Sequence, residues 1–246
     1  IIGLDTSHST AFTKFLNGPN AGAEYFGYKV VAAYPWGSKT IKTSYDRIPE
    51  YTETVKSFGV EIVDSIAALL AKVDVVLLET NDGRPHLEQA IEVFKAGKVL
   101  GADCFSPMNT EPTHPDLFWY AIHAVEYLYT VMGPGCKQVT RMFNAENDVT
   151  VGVWEGGRVG TVRGIKKGKE DYGGTVFGEK GILQMGTYTG YELLLKEICK
   201  FWQTGVAPVT PKETLEIYAF MEAADASKRH QGISVSLADV MKNAQK

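Results

Sequence analysis

Cysteine is scarce in this sequence: Cys104, Cys136 and Cys199 are the only three in 246 residues. They lie far apart, form no C-x-x-C pair and are odd in number, which argues against a disulfide framework. Reduced thiols in a cytoplasmic protein are the expectation. Long apolar runs are missing too: none approaches the ~20 residues that cross a bilayer, so no membrane partner is expected. There is no charged-then-apolar leader. The sequence opens inside an apolar run without a Met, so native residues are expected to precede Ile1. A dense basic stripe is also lacking. The net charge is −4, and the one basic cluster, "RGIKKGKE", is broken by glycines and ends in an acid. It reads as a solvated strand and turn, which excludes nucleic acid as a partner. The five histidines show no paired spacing and no H-E-x-x-H occurs, so no metal site is expected. Internal repeats and low-complexity linkers are absent.

What is present is a globular composition, with 44% hydrophobic and 22% charged residues. At this length a sizeable core is possible. Residues 1–98 alternate strand-like and helix-like segments. "IIGLD", "YKVVAAYP", "EIVDS" and "DVVLLET" read as strands, the last as the cleanest buried one. "SHSTAFTKFLN", "PEYTETVKSFGV", "SIAALLAKV" and "RPHLEQAIEVFKAGK" read as helices. This alternation predicts an α/β Rossmann-like parallel sheet of about four strands with helices on both faces. From residue 99 the pattern changes. "VLGADCFSP" is a strand and "DLFWYAIHAVEYLYTVMG" an apolar helix. Short alternating strands follow, with Gly156-Gly157 as a hairpin turn. Two helices close the chain, one ending at Gly205 and one with Thr210 as N-cap, Pro211 in the first turn and Glu213 completing a capping box. Residues 99–246 therefore predict an α+β domain with an open, largely antiparallel sheet.

The opening "IIGLDTSH" places a strand against a helix N-terminus, where orphan N–H groups and the helix dipole favour a pyrophosphate. The usual fingerprint has three glycines in this turn. Here only Gly3 remains, and Asp5, Thr6, Ser7 and His8 fill the rest. Their Cβ atoms obstruct close approach and Asp5 repels phosphate, while the hydroxyls of Thr6, Ser7, Ser9 and Thr10 can donate to it. The bland reading is that Thr6 or Ser7 merely caps the helix. After the second strand, "AAYPWGSKT" lacks the carboxylate that reads the ribose of NAD. Ser38, Lys39 and Thr40 either accept the 2′-phosphate of NADP or form a solvent loop. After the fourth strand, Thr80, Asn81 and Arg84 are placed to line a crevice, and His86 either joins them or packs on its helix.

On these residues the chain resembles the glucose–fructose oxidoreductase/inositol dehydrogenase/MocA (Gfo/Idh/MocA) family. "DVVLLETNDGRPHLEQAIEVFKAGK" is similar to the family's strand, P-x-H turn and helix ending in A-G-K. "LFWYAIHAVEYLYTVMG" is similar to its G-x-H-x-x-D-type helix. "VFGEKGILQM" resembles its strand pair, and "TPKETLEIYAFMEAADASKRHQG" its terminal helix. "GLDTSH" looks like the opening turn of a variant subgroup. The resemblance implies a dinucleotide domain (1–98) and a substrate and oligomerisation domain (99–246). It also implies NAD or NADP as cofactor, a sugar- or polyol-like substrate, and a homodimer or homotetramer. His123 matches the family's proton-accepting histidine and Glu126 its acidic neighbour. Read without the family, His123 is a packed helix histidine beside Tyr120 and Tyr127, and Glu126 a solvent-facing acid. The family's earlier aspartate is Trp119 here. His114 borders the substrate or is an exposed loop residue. The family's strand with E-K-P has no counterpart: Gly97-Lys98 runs straight into Val99 and no Lys-Pro pair exists, so either the gene is shortened here or the sequence omits a segment. The expected function is hydride transfer to or from a sugar-like hydroxyl or carbonyl. The alternative is an inactive relative acting as an oligomeric binding or scaffold protein.

Overall fold

A computed structural model describes residues 1–37, 41–77, 98–185 and 190–244. In the first stretches lie helix α1 (Ser7–Asn17), strand β1 (Ala32–Ala33), helices α2 (Lys42–Tyr45) and α3 (Ile48–Ser57), β2 (Glu61–Ile62) and α4 (Ile66–Leu70). Then come β3 (Val99–Pro107), α5 (Ile122–Met132), β4 (Cys136–Phe143), β5 (Asn147–Trp154), β6 (Val159–Ile165), β7 (Gly173–Gly178) and β8 (Gly181–Met185). The chain closes with α6 (Glu192–Thr204), α7 (Pro211–Arg229), β9 (Val235–Ser236) and α8 (Leu237–Asn243). Two compact units result: Ile1–Pro85 with Gly190–Pro208, and His86–Thr189 with Val209–Lys246.

The first unit is Rossmann-like. β1 and β2 pair in parallel, Ile2 bridges Tyr34 in parallel, and the Ile2 N–H donates to the Leu77 carbonyl at 2.9 Å. The strand that opens the sequence is thus flanked on both sides. α1 forms because Phe12 and Leu16 fall one turn apart on a buried face, and it stops at Gly18, where a Cβ would meet the Lys14 carbonyl at 2.3 Å. Asn17 ties its end to the second strand, accepting from the Val30 N–H and donating to the Val30 carbonyl. α3 ends before Gly59, whose φ of +81° is open to glycine without strain. Helix α6 returns from late in the sequence and buries Leu195 and Cys199 in the same core as Phe12 and Leu16. The strand reading of "DVVLLET" falls partly outside the described residues, which include only 74–77 of it. Within 74–77, the Leu77 carbonyl accepts from the Ile2 N–H, and Val75 is 38% exposed. Val75 and Leu77 line an open cavity of about 340 Å³ with Tyr28 and Trp202, while Leu77 and Val76 also pack against the apolar clusters of the unit.

The second unit is a seven-stranded sheet in the order β8-β7-β3-β6-β5-β4-β9. Every pair is antiparallel except β3 with β6, so the expected meander is interrupted: β3 slots between β6 and β7. The β5–β6 hairpin turns at Gly156 and Gly157, both at positive φ (75° and 80°). Helices α5 and α7 cover one face. Trp154, Tyr127, Tyr129, Leu128 and Phe220 are fully buried there, each contributing about 1.5–3 kcal/mol. Gly152 and Gly160 face each other across β5 and β6 because this core leaves no room: a Cβ on Gly152 would lie 2.5 Å from the Trp154 ring, and one on Gly160 2.7 Å from Leu128. The predicted helix over 116–133 is split. A 3-10 turn at Asp116–Phe118 ends at Trp119, whose φ/ψ of −102°/−105° is not helical, and α5 starts at Ile122. Two contacts hold the break: the Trp119 ring rests on His114 at 5.0 Å, and Asp116 is drawn into an ion cluster.

That cluster centres on Arg141 of β4, whose guanidinium is wholly buried. It donates to Asp148 at 2.8 and 2.7 Å, to Asp225 and to Asp116, which also pairs with Lys228. Burial opposes the Asp116 charge, but Lys228 and Arg141 together hold that carboxyl below the usual carboxylate range. At Asp225 burial outweighs Arg141 and pushes the carboxyl up. Thr210 caps α7 as expected, accepting from the Glu213 N–H at 3.2 Å. Among the described residues, no helix is long and apolar enough to cross a membrane.

Candidate functional site

The opening turn runs off the first strand at the carboxyl end of the parallel sheet, the side on which ligands of such sheets sit. Gly3, at φ +96°, makes the bend. The Gly3 N–H donates to the Tyr34 carbonyl and the Leu4 N–H to that of Trp36, which locks the turn to the second strand. Asp5 points sideways, accepting from the Ser44 hydroxyl at 2.5 Å and lying against Gly37. Thr6 occupies the N-cap position of α1, yet its side chain caps nothing. It is 6% exposed, and its Oγ1 is buried with no hydrogen-bond partner. No acidic residue lies in the first turn of α1 to offset the positive helix end.

The other hydroxyls of the turn are engaged within the unit. Ser7 Oγ pairs with the Tyr191 hydroxyl at 2.8 Å. Ser9 donates to the Thr6 carbonyl and Thr10 to that of Ser7. His8 is buried, its ring 4.2 Å from that of Tyr191 and 5.6 Å from that of Phe12. His8 therefore fills the space between α1 and its neighbours where a glycine would otherwise let the elements close up. A buried hydroxyl left without a partner costs about 1–3 kcal/mol. Thr6 stands at the N-terminus of α1, where the N–H groups of the first turn lack helical acceptors and can bind an anion.

The second cluster sits at the start of α5. His123 Nδ1 lies 3.4 Å from Glu126 Oε2, one turn along the helix, with side-chain exposures of 25% and 6%. Tyr120 and Tyr172 flank the imidazole edge-on, at 6.1 and 5.9 Å. A buried carboxylate facing one imidazole nitrogen fixes the ring's orientation and favours the proton on that nitrogen. The solvent-facing reading of Glu126 is thereby corrected: α5 turns it into the protein because the helix is apolar around most of its circumference. His114 is exposed and bonded to Thr113. The thiols are buried, and burial raises them all, to about 11 for Cys199 and about 12 for Cys136. None is poised as a nucleophile.

Of the residues singled out in the sequence, the structure gathers Gly3, Asp5, Thr6, Ser7 and His8 in one turn, and His123 with Glu126 in one helix. Ser38, Thr80, Asn81, Arg84 and His86 lie outside the described residues, as do Lys39 and Thr40. Ser44 and Tyr191 were not legible as site residues. Both reach the turn from other elements, and neither carries a local motif.

No family model matches the sequence, and no curated protein does. Solved structures do match. One is scyllo-inositol dehydrogenase from Lactobacillus casei with bound NAD(H) and scyllo-inositol, at TM-score 0.66 and 10% identity, covering 96% of this chain and 98% of that one. A second is myo-inositol dehydrogenase from Lactobacillus casei with NAD(H) and myo-inositol, at 0.61 and 13%, covering 96% and 95%. A third is an NAD-binding protein from Listeria innocua, at 0.61 and 12%, covering 96% and 95%. At these identities the likeness is one of fold: a Rossmann-like unit and an open-sheet unit, the architecture of these dehydrogenases.

Proposed function

We propose that this chain is an NAD(P)-dependent oxidoreductase that moves a hydride to or from a sugar- or polyol-like hydroxyl or carbonyl. The observation that carries the reading is the Thr6 hydroxyl, buried without a partner at the N-terminus of α1. It fits a dinucleotide diphosphate, which would receive hydrogen bonds from Thr6 Oγ1 and the first-turn N–H groups, with Gly3 making the bend beneath it. The fold shared with NAD(H)-bound dehydrogenases supports the same assignment. Residues 1–98 are assigned to the cofactor, with Ser7 and His8 shaping the turn and Ser38, Thr80, Asn81, Arg84 and His86 as further candidates. Residues 99–246, apart from 190–208, which belong to the first unit, are assigned to the substrate and to assembly as a homodimer or homotetramer.

When bound, a nicotinamide supplies a two-electron donor or acceptor at carbon. The chain supplies the proton transfer. With Nδ1 held toward Glu126, His123 accepts a proton from the substrate hydroxyl at Nε2 and returns it in the reverse direction. Glu126 steadies the imidazolium that forms.

One observation favours a second reading. β3 begins at Val99, directly after Gly97-Lys98, so no E-K-P segment stands between the helical reading of 84–98 and the second sheet. An inactive relative that binds or scaffolds would have that organisation. Titration with NADH and NADPH, followed by nicotinamide fluorescence, separates the two. Saturable binding supports the oxidoreductase, and no binding into the millimolar range removes it.

A further inference from the structure

We propose that the Asp5 carboxylate reads the adenosine ribose and makes the chain select NAD over NADP; this rests on the NAD(P) reading of the first unit. In doubly wound sheets, an acid at the carboxyl end of the second strand accepts hydrogen bonds from the ribose hydroxyls. Here the second strand runs out through Tyr34, Pro35, Trp36 and Gly37 without a carboxylate. The structure delivers one from the neighbouring strand. The Leu4 N–H is bonded to the Trp36 carbonyl, so Asp5 leaves the first strand level with the end of the second. Its side chain then crosses over Gly37. A Cβ built on Gly37 would fall 2.7 Å from Asp5 Cβ and 3.0 Å from Asp5 Cγ, so only glycine at 37 lets the carboxylate lie there. Ser44, buried on α2, donates to Oδ2 at 2.5 Å and fixes the rotamer.

This geometry also changes the meaning of an acid in the phosphate turn. Asp5 takes the position of a fingerprint glycine, where it would repel a diphosphate. Bonded to Ser44 and lying against Gly37, its carboxylate stands at the end of the second strand, the place where doubly wound sheets read the ribose. A carboxylate there accepts from a 2′-hydroxyl and repels a 2′-phosphate. Ser44 and Gly37 act as positioning residues for it.

The test compares dissociation constants for NADH and NADPH, read by nicotinamide fluorescence, in the native chain, in Asp5→Asn and in Ser44→Ala. The native chain is expected to bind NADH at least about tenfold more tightly than NADPH, as like charges in contact are strongly disfavoured. Asp5→Asn should bring the two constants within about threefold, by weakening NADH and strengthening NADPH. Ser44→Ala keeps the charge but loosens it, so it should reduce the preference without abolishing it. That variant also keeps the test valid if Asp5→Asn fails to fold. Equal binding of the two cofactors by the native chain overturns the proposal, as does a preference that neither substitution alters. In both cases the cofactor reading stands. If the native chain binds neither, that reading falls, and this proposal with it.

Discussion

In the second unit Arg141 is wholly buried, and its guanidinium is met by Asp148, Asp225 and Asp116. In the first unit Thr6 is almost as deeply buried and its hydroxyl meets nothing. The two differ in what burial achieves. The Arg141 cluster joins β4, β5, α7 and the 3-10 turn before α5, and its charges are compensated within the unit. Thr6 stands at a helix end where N–H groups have no helical acceptor. A compensated group is explained by folding alone, whereas an uncompensated one at a helix end is what the proposed diphosphate would satisfy. Thr150 sharpens the point. Its hydroxyl is also buried without a partner, but it lies mid-strand in β5, paired with Arg141 of β4, and is not itself the N-cap of a helix. Burial of an orphan group is therefore informative only together with its surroundings.

The largest expected effect comes from breaking the compensated case. Arg141→Leu strands Asp148 and Asp225 in the core and should lower stability by about 3–5 kcal/mol in a denaturant titration. Next is His123→Asn, which should reduce kcat at least about a hundredfold with the thermal midpoint nearly unchanged. Full turnover in that variant would remove His123 from the proton transfer.

Asp116 offers a pH test of the same cluster. Its carboxyl is held below the usual range by Lys228 and Arg141. Its contribution is therefore present above the ordinary carboxylate pKa of about 4 and is lost as pH falls through the folded-state value. Asp116→Asn should be less stable than the native chain at neutral pH, and the gap should close in acid.

Thr6→Val should raise the stability of the cofactor-free protein by about 1 kcal/mol, because it removes an unpaired buried hydroxyl. Thr150→Val should give a similar or smaller gain. It should leave cofactor affinity untouched, and a loss of affinity there would dissolve the distinction between the two threonines.

Much of the fold was legible because its signals are local. The turn at Gly156-Gly157, the Thr210 cap and the stops at Gly59 and Gly205 each depend on a few adjacent residues. The insertion of β3 between β6 and β7 was not legible, since alternation specifies a strand but not its neighbour. Nor was the return of α6 to the first core, as an apolar stripe does not name the surface it covers. At the site, Gly3, Thr6 and His123 stood out by residue type and spacing. Ser44 holding Asp5, Tyr191 meeting Ser7 and Arg141 gathering three aspartates all join residues far apart in the chain, which no local pattern records.

The central claim is that a dinucleotide diphosphate seats on the N-terminus of α1 through the Thr6 hydroxyl. NADH fluorescence titration of the native chain beside Thr6→Val tests it most directly. Saturable binding that weakens about tenfold in the variant is the predicted result, as expected for one charge-assisted hydrogen bond. Equal affinity in the two proteins, or no saturation in the native chain, would contradict it.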